Sequence, residues 1–142
     1  MSATAGIMSL GNSNDLDENI ISNMVESVKH RGPDGLGYFK SKNCCLGLAS
    51  LNIIGDSPIP LSTKDGRYTI AFDGSIYNFQ ELKKELQDKN CSFSTQTDAE
   101  VILTGYSIWG TGVVARLNGI FSFAIWDSKK QNLFIARDFK GL

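Results

Sequence analysis

Residues 120–126 (Ile-Phe-Ser-Phe-Ala-Ile-Trp) and 133–136 (Leu-Phe-Ile-Ala) are two dense apolar runs, separated only by the polar stretch Asp127-Ser-Lys-Lys-Gln-Asn132. Short apolar runs flanking a polar turn read as a β-hairpin, and runs with so little alternation belong to strands covered on both faces. Such a hairpin cannot serve a half-exposed sheet. It needs a layer on each side, which restricts the chain to stacked architectures.

Helices supply part of that cover. Ile20, Ile21, Met24, Val25 and Val28 recur at helical spacing, so residues 15–29 are expected to form a helix with one buried stripe, stopped by Arg31-Gly-Pro-Asp-Gly35. Asn78-Phe-Gln-Glu81 and Thr97-Asp-Ala-Glu100 each pair an N-cap acceptor with a carboxylate three residues on, the pattern of a capping box. The first opens a helix buried through Phe79, Leu82 and Leu86. The second opens one carrying Val101, Ile102, Leu103, Ile108 and Trp109, closed by Gly110.

Strands are expected at 4–10, running into Gly11-Asn12 and lying at or near the centre of its sheet, at Tyr38-Phe39, at 45–51, and at 67–72, where Asp73-Gly74 ends the run. Residues 55–66 read as a turn-rich connection. The expectation is one α+β domain over residues 1–142, with stacked sheets between helical layers.

Charge and cysteine usage exclude several functions. Fourteen basic against fifteen acidic residues leave a formal charge of −1, with no positive field to draw nucleic acid or an anionic membrane surface. Cys44, Cys45 and Cys91 lack metal-type spacing, and the single histidine, His30, does not complete a zinc site, so no metal or cofactor is expected. Free thiols and an N-terminus without a signal-like apolar stretch fit a cytoplasmic protein.

With one histidine and no phosphate loop, the usual nucleophile–base pairs lack parts. The N-terminus offers another route. Removal of Met1 leaves Ser2 with a hydroxyl and a free α-amine, and an amine with pKa near 8 can act as base to its own side chain.

Six blocks in order carry a resemblance: Ser2-Ala-Thr-Ala-Gly-Ile7, His30-Arg-Gly-Pro-Asp-Gly35, Phe72-Asp-Gly-Ser-Ile-Tyr-Asn-Phe79, Thr97-Asp-Ala-Glu-Val-Ile-Leu103, Leu117-Asn-Gly-Ile-Phe-Ser-Phe-Ala-Ile-Trp-Asp127 and Ala136-Arg-Asp138. Together they resemble the class II glutamine amidotransferase domain of asparagine synthetases. The resemblance implies an N-terminal nucleophile hydrolase fold, with helices, two antiparallel sheets and helices in layers, shortened at the C-terminal end. In that family the domain runs on and is followed by a synthetase domain, so this chain is expected to be either a fragment or a shortened relative, self-associated or docked on a synthetase-type partner.

The resemblance also assigns roles. The family nucleophile is an N-terminal cysteine, here Ser2, a much weaker nucleophile near neutral pH. The family's Asn-Gly-Glu aligns with Asp73, Gly74 and Ser75, placing Asp73 and Gly74 at the oxyanion hole and Ser75 where a carboxylate meets the substrate amine. A carboxylate in place of an oxyanion-hole donor forfeits a contribution of about 10² to 10³ in rate. The arginine that binds the glutamine carboxylate aligns with Ala49, and its loss removes a contact of roughly 1.5 to 3 kcal/mol. Asp98 stands at the position that binds the substrate α-amine, although a carboxylate in the first turn of a helix is also favoured by the helix dipole.

Packing blocks are retained while chemistry-bearing positions have changed. The expectation is a glutamine amidotransferase-type domain with lost or weak glutamine hydrolysis that supports a synthetase-type partner. The alternative is an active N-terminal serine amidohydrolase acting on glutamine or a related amide.

Overall fold

The computed structural model describes residues 2–11, 16–51 and 60–141. Two antiparallel sheets are stacked face to face. The first has β1 (Ala3–Met8), β2 (Gly35–Lys40) and β3 (Cys44–Ser50) in the order β1-β3-β2. The second has β4 (Leu61–Ser62), β5 (Tyr68–Ile76), β6 (Gly119–Asp127) and β7 (Asn132–Arg137) in that order. Helix α1 (Glu18–Ser27) covers the first sheet, and α2 (Phe79–Asp88) and α3 (Asp98–Trp109) cover the second.

Alternation along each strand builds the layers. On β6, Phe121, Phe123 and Ile125 turn toward α2 and α3 and join Leu82, Leu86, Val101 and Ile102. The intervening Ala124 and Trp126 face the other sheet, where Trp126 clusters with Cys44 and Leu46 of β3 and with Ala71 of the neighbouring β5. On β3, Cys45 and Ala49 turn outward onto Ile21 and Val25 of α1. This is the expected sequence of helix, sheet, sheet and helix, but of the hairpin's two strands only β6 is largely covered on both faces: β7 lies at the sheet edge with none of its residues buried and Ile135 69% exposed. Each fully buried Ile, Val or Leu contributes about 1.5–3 kcal/mol, so three such clusters hold the stack.

Several details differ from the sequence reading. The opening strand β1 lies at an edge, and β3 is central. All seven residues of β3 are buried, and a strand paired on both sides needs such a sequence, whereas the half-buried β1 does not. Asp73-Gly74 do not end β5, which continues to Ile76 in register with β6, Gly74 lying opposite Phe121. Gly74 sits at φ 138, where a Cβ would fall 2.1 Å from the Ile120 carbonyl oxygen, so the glycine serves close backbone approach inside a strand. Of the connection expected at 55–66, residues 55–59 lie outside the described residues, and β4 forms within the remainder.

The capping boxes form unequally. Thr97 accepts from the Glu100 N–H, but the Glu100 carboxylate turns to the Ser94 and Thr95 N–H groups instead of to Thr97. The Asn78 side chain makes no cap. It donates to the Arg116 carbonyl and accepts from the Asn118 N–H, tying the start of α2 to the segment that leads into β6.

Candidate active site

Ser2 precedes β1, at the end of the stack where β1, β3 and β5 come together. Its backbone N–H donates to Asp73 Oδ1 at 2.9 Å, and its Oγ accepts from the Leu51 N–H at 3.3 Å. The residue therefore bridges the sheets: Leu51 follows β3 of the first, and Asp73 belongs to β5 of the second. The pairing of Ala3 with Ala49 sets this placement, because the antiparallel register carries the residue before β1 to the end of β3.

A cavity of about 350 Å³ opens beside it, lined among others by Ser2, Arg31, Asp73, Ser122, Arg137 and Asp138. Asp138 is nearly buried. One of its oxygens accepts from the N–H groups of Lys140 and Gly141, and the other from Phe121. Burial pushes its carboxyl up, but the Gly141, Phe121 and Lys140 donors outweigh that and hold it below the ordinary carboxylate range. The guanidinium of Arg137 lies over Gly141, close enough that a Cβ there would meet it at 2.6 Å. Arg31 enters from the 3₁₀ turn Lys29–Arg31 after α1. Gly32 then packs on the end of β3, where a Cβ would lie 2.2 Å from the Ala49 carbonyl oxygen, and the Asp34 N–H donates to the Ser50 carbonyl. The Arg-Gly-Pro-Asp loop is thereby fastened to the strand that leads to Leu51, which steadies Arg31 at the cavity wall.

The expected site residues divide. Ser2 and Asp73 meet directly, and Gly74 follows Asp73 on the same strand. Ser75 is exposed and does not line the cavity. Asp98 also lies off it: its carboxylate accepts from the Ile76 N–H at 2.9 Å and fastens the start of α3 to the end of β5. Burial pushes this carboxyl above its ordinary value, with the Ile76 donor partly opposing. Ala49 is fully buried against Ile21 and Val25, on the helix side of β3 and away from the cavity. An arginine at 49 would project into α1; strand alternation sends Ser50 the other way. His30 is exposed on the 3₁₀ turn and lines no part of the cavity.

Arg31, Arg137 and Asp138 line the cavity but carried no assigned role in the sequence reading. Their signal was present in the retained Arg-Gly-Pro-Asp and Ala-Arg-Asp blocks, which are far apart in sequence and adjacent only once the sheets stack.

A helix–sheet–sheet–helix stack with Ser2 at the mouth of its inter-sheet cleft has the layered fold of the N-terminal nucleophile hydrolases. Across residues 1–142 the chain matches the family described as "Glutamine amidotransferase domain", and it belongs to that family. It is 39% identical over 123 residues to a glutamine-hydrolysing asparagine synthetase 1 of Bacillus subtilis, covering 85% of this chain and 20% of the relative. To asparagine synthetase 2 of the same organism it is 34% identical over 146 residues, covering 100% of this chain and 19% of the relative. The chain thus spans about a fifth of the length of these relatives. The fold matches that of glutamine phosphoribosylpyrophosphate amidotransferase from B. subtilis, with TM-score 0.80 and 19% identity over 100% of this chain and 38% of that one. Among the described residues no helix is long and apolar enough to cross a membrane.

Proposed function

We propose that this chain is an asparagine synthetase-type glutamine amidotransferase domain in which glutamine hydrolysis is lost or weak, and that it supports a synthetase-type partner in the cytoplasm. The observation that carries the reading is the placement of Ser2: the position of the attacking group holds a hydroxyl, and its nitrogen is bonded to a carboxylate. In a working site the Oγ would attack the side-chain carbonyl of glutamine while the α-amine takes the hydroxyl proton. Ammonia would then leave, and water would cleave the resulting ester. Both halves are handicapped here. The hydroxyl is intrinsically weak, and a carboxylate near the developing oxyanion repels charge that a donor would stabilise. The arginine of the family's carboxylate-binding strand is also missing, with Ala49 at its aligned position.

A second reading has its own support. Arg31 and Arg137 line the same cavity as Ser2, so two guanidinium groups remain available to a substrate carboxylate. On this reading the domain is a slow N-terminal serine amidohydrolase acting on glutamine or a related amide.

Glutamate release from glutamine by the Met1-processed protein, beside Ser2→Ala and Ser2→Cys variants, separates the two. No release above Ser2→Ala supports the first reading, and release abolished by Ser2→Ala supports the second. Ser2→Cys shows whether the nucleophile alone is limiting: turnover rising tenfold or more would mean that the rest of the site still works.

A further inference from the structure

We propose that Asp73 is a positioning residue that clamps the processed N-terminus of this chain as an ammonium ion, so that the Ser2 α-amine is withheld from service as a base near neutral pH. This rests on the reading of Ser2 as the nucleophile position, but its test does not require turnover. The Ser2 nitrogen stands 2.9 Å from Asp73 Oδ1. Removal of Met1 converts that nitrogen from an amide into a primary amine. A carboxylate in contact favours the charged form of an amine, by an amount that is large at hydrogen-bond distance.

The other charges facing the cavity do not cancel the clamp. Arg31, from the turn after α1, and Arg137, at the end of β7, oppose an ammonium, but both are exposed and their fields are screened by solvent. Asp138 adds negative charge, yet its oxygens are engaged by the N–H groups of Phe121, Lys140 and Gly141. Among the described residues, Asp73 alone gives the Ser2 nitrogen a carboxylate contact.

The consequence is chemical. A protonated amine has no lone pair to accept the Ser2 hydroxyl proton, so attack requires either a higher pH or release of the clamp. Asp73 therefore does more than occupy a donor's place: it removes the base. An uncharged side chain of the same shape at 73 frees the amine without altering Ser2.

The test reads the amine directly. After intact mass has verified loss of Met1, the pH dependence of α-amine acylation by acetic anhydride is followed on the N-terminal peptide by mass spectrometry. The folded protein, the same protein in urea and Asp73→Asn are compared. A reaction midpoint at higher pH in the folded protein than in urea, with about tenfold lower reactivity near neutral pH that Asp73→Asn restores, is the expected result. Equal midpoints for the folded and urea-unfolded wild-type protein overturn the proposal whether or not the variant folds, and so does a retained Met1. A raised midpoint in a protein whose glutamate release is unaffected by Ser2→Ala would keep the clamp while removing the nucleophile reading.

Discussion

Neighbouring residues of a strand face opposite ways, and at positions 49 and 50 this decides which layer each side chain packs against. Ala49 is sealed against α1, so Ala49→Arg buries an unpaired guanidinium and is expected to cost about 3 kcal/mol or more, seen as a large loss of midpoint in urea unfolding. Ser50 is buried too but faces the second sheet, so Ser50→Arg should also destabilise while leaving the exchange of the α1 amides unchanged; faster exchange of α1 in both variants would show that the strand's facing has been misassigned. Gly74 permits another sharp test. Its φ of 138 and the backbone of Ile120 and Phe121 beside it leave no room for a methyl group, so Gly74→Ala should lose roughly 2 kcal/mol or more in the same measurement. Gly74 is thus demanded by the sheet whatever chemistry the position serves.

Thr97 and Asn78 look alike in sequence but act differently. Thr97→Ala removes an N-cap and should cost about 1 kcal/mol, with the loss confined to early-exchanging amides at the start of α3. Asn78→Ala removes two ties to Arg116 and Asn118, so its loss should appear as faster exchange at the Asn118 amide, outside the helix that Asn78 begins. The hairpin of β6 and β7 carries a pH dependence of its own. Burial pushes the Asp127 carboxyl up, but its bonds from Arg67, Lys130 and Lys129 prevail and hold it below the ordinary value. A carboxyl depressed in the folded state stabilises above its unfolded pKa and loses that contribution as pH falls through the folded one. Asp127→Asn should therefore be less stable than the wild-type protein at neutral pH, the gap closing as acid is added; a gap independent of pH would deny the carboxylate its role. Elements were legible where periodicity was strong, as in the hairpin and all three helices. The extension of β5 through Asp73-Gly74 was not, because a turn-forming pair in isolation is indistinguishable from a strand glycine kept for a close neighbour. The cavity was half legible: Ser2 and Asp73 are marked by their motifs, but Arg31 and Arg137 meet them only through the stacking of two sheets.

The layered order was readable from the dense apolar run of β6, because burial on both faces admits few arrangements, whereas the edge position of β7 and the central place of β3 depend on pairings distant in sequence. Gly47 shows how tightly the outer layer is set: a Cβ there would fall 2.2 Å from Val25 Cγ2, so α1 rests directly on the middle of β3. Cys44 and Cys45 occupy that same strand side by side. Cys44 faces the second sheet, where burial and the neighbouring Cys45 push its thiol up to about 12, and Cys45 faces α1. Two adjacent thiols thus stand on opposite sides of one strand, each shielded by a different layer, with the partly buried Cys91 as a less shielded reference. Under mild urea an alkylating reagent is expected to reach Cys91 first, then Cys45 as the single helix lifts, and Cys44 last, once the sheets part. The chain carries its own pair of clocks, one timing the departure of a helix and the other the opening of the cleft in which Ser2 sits.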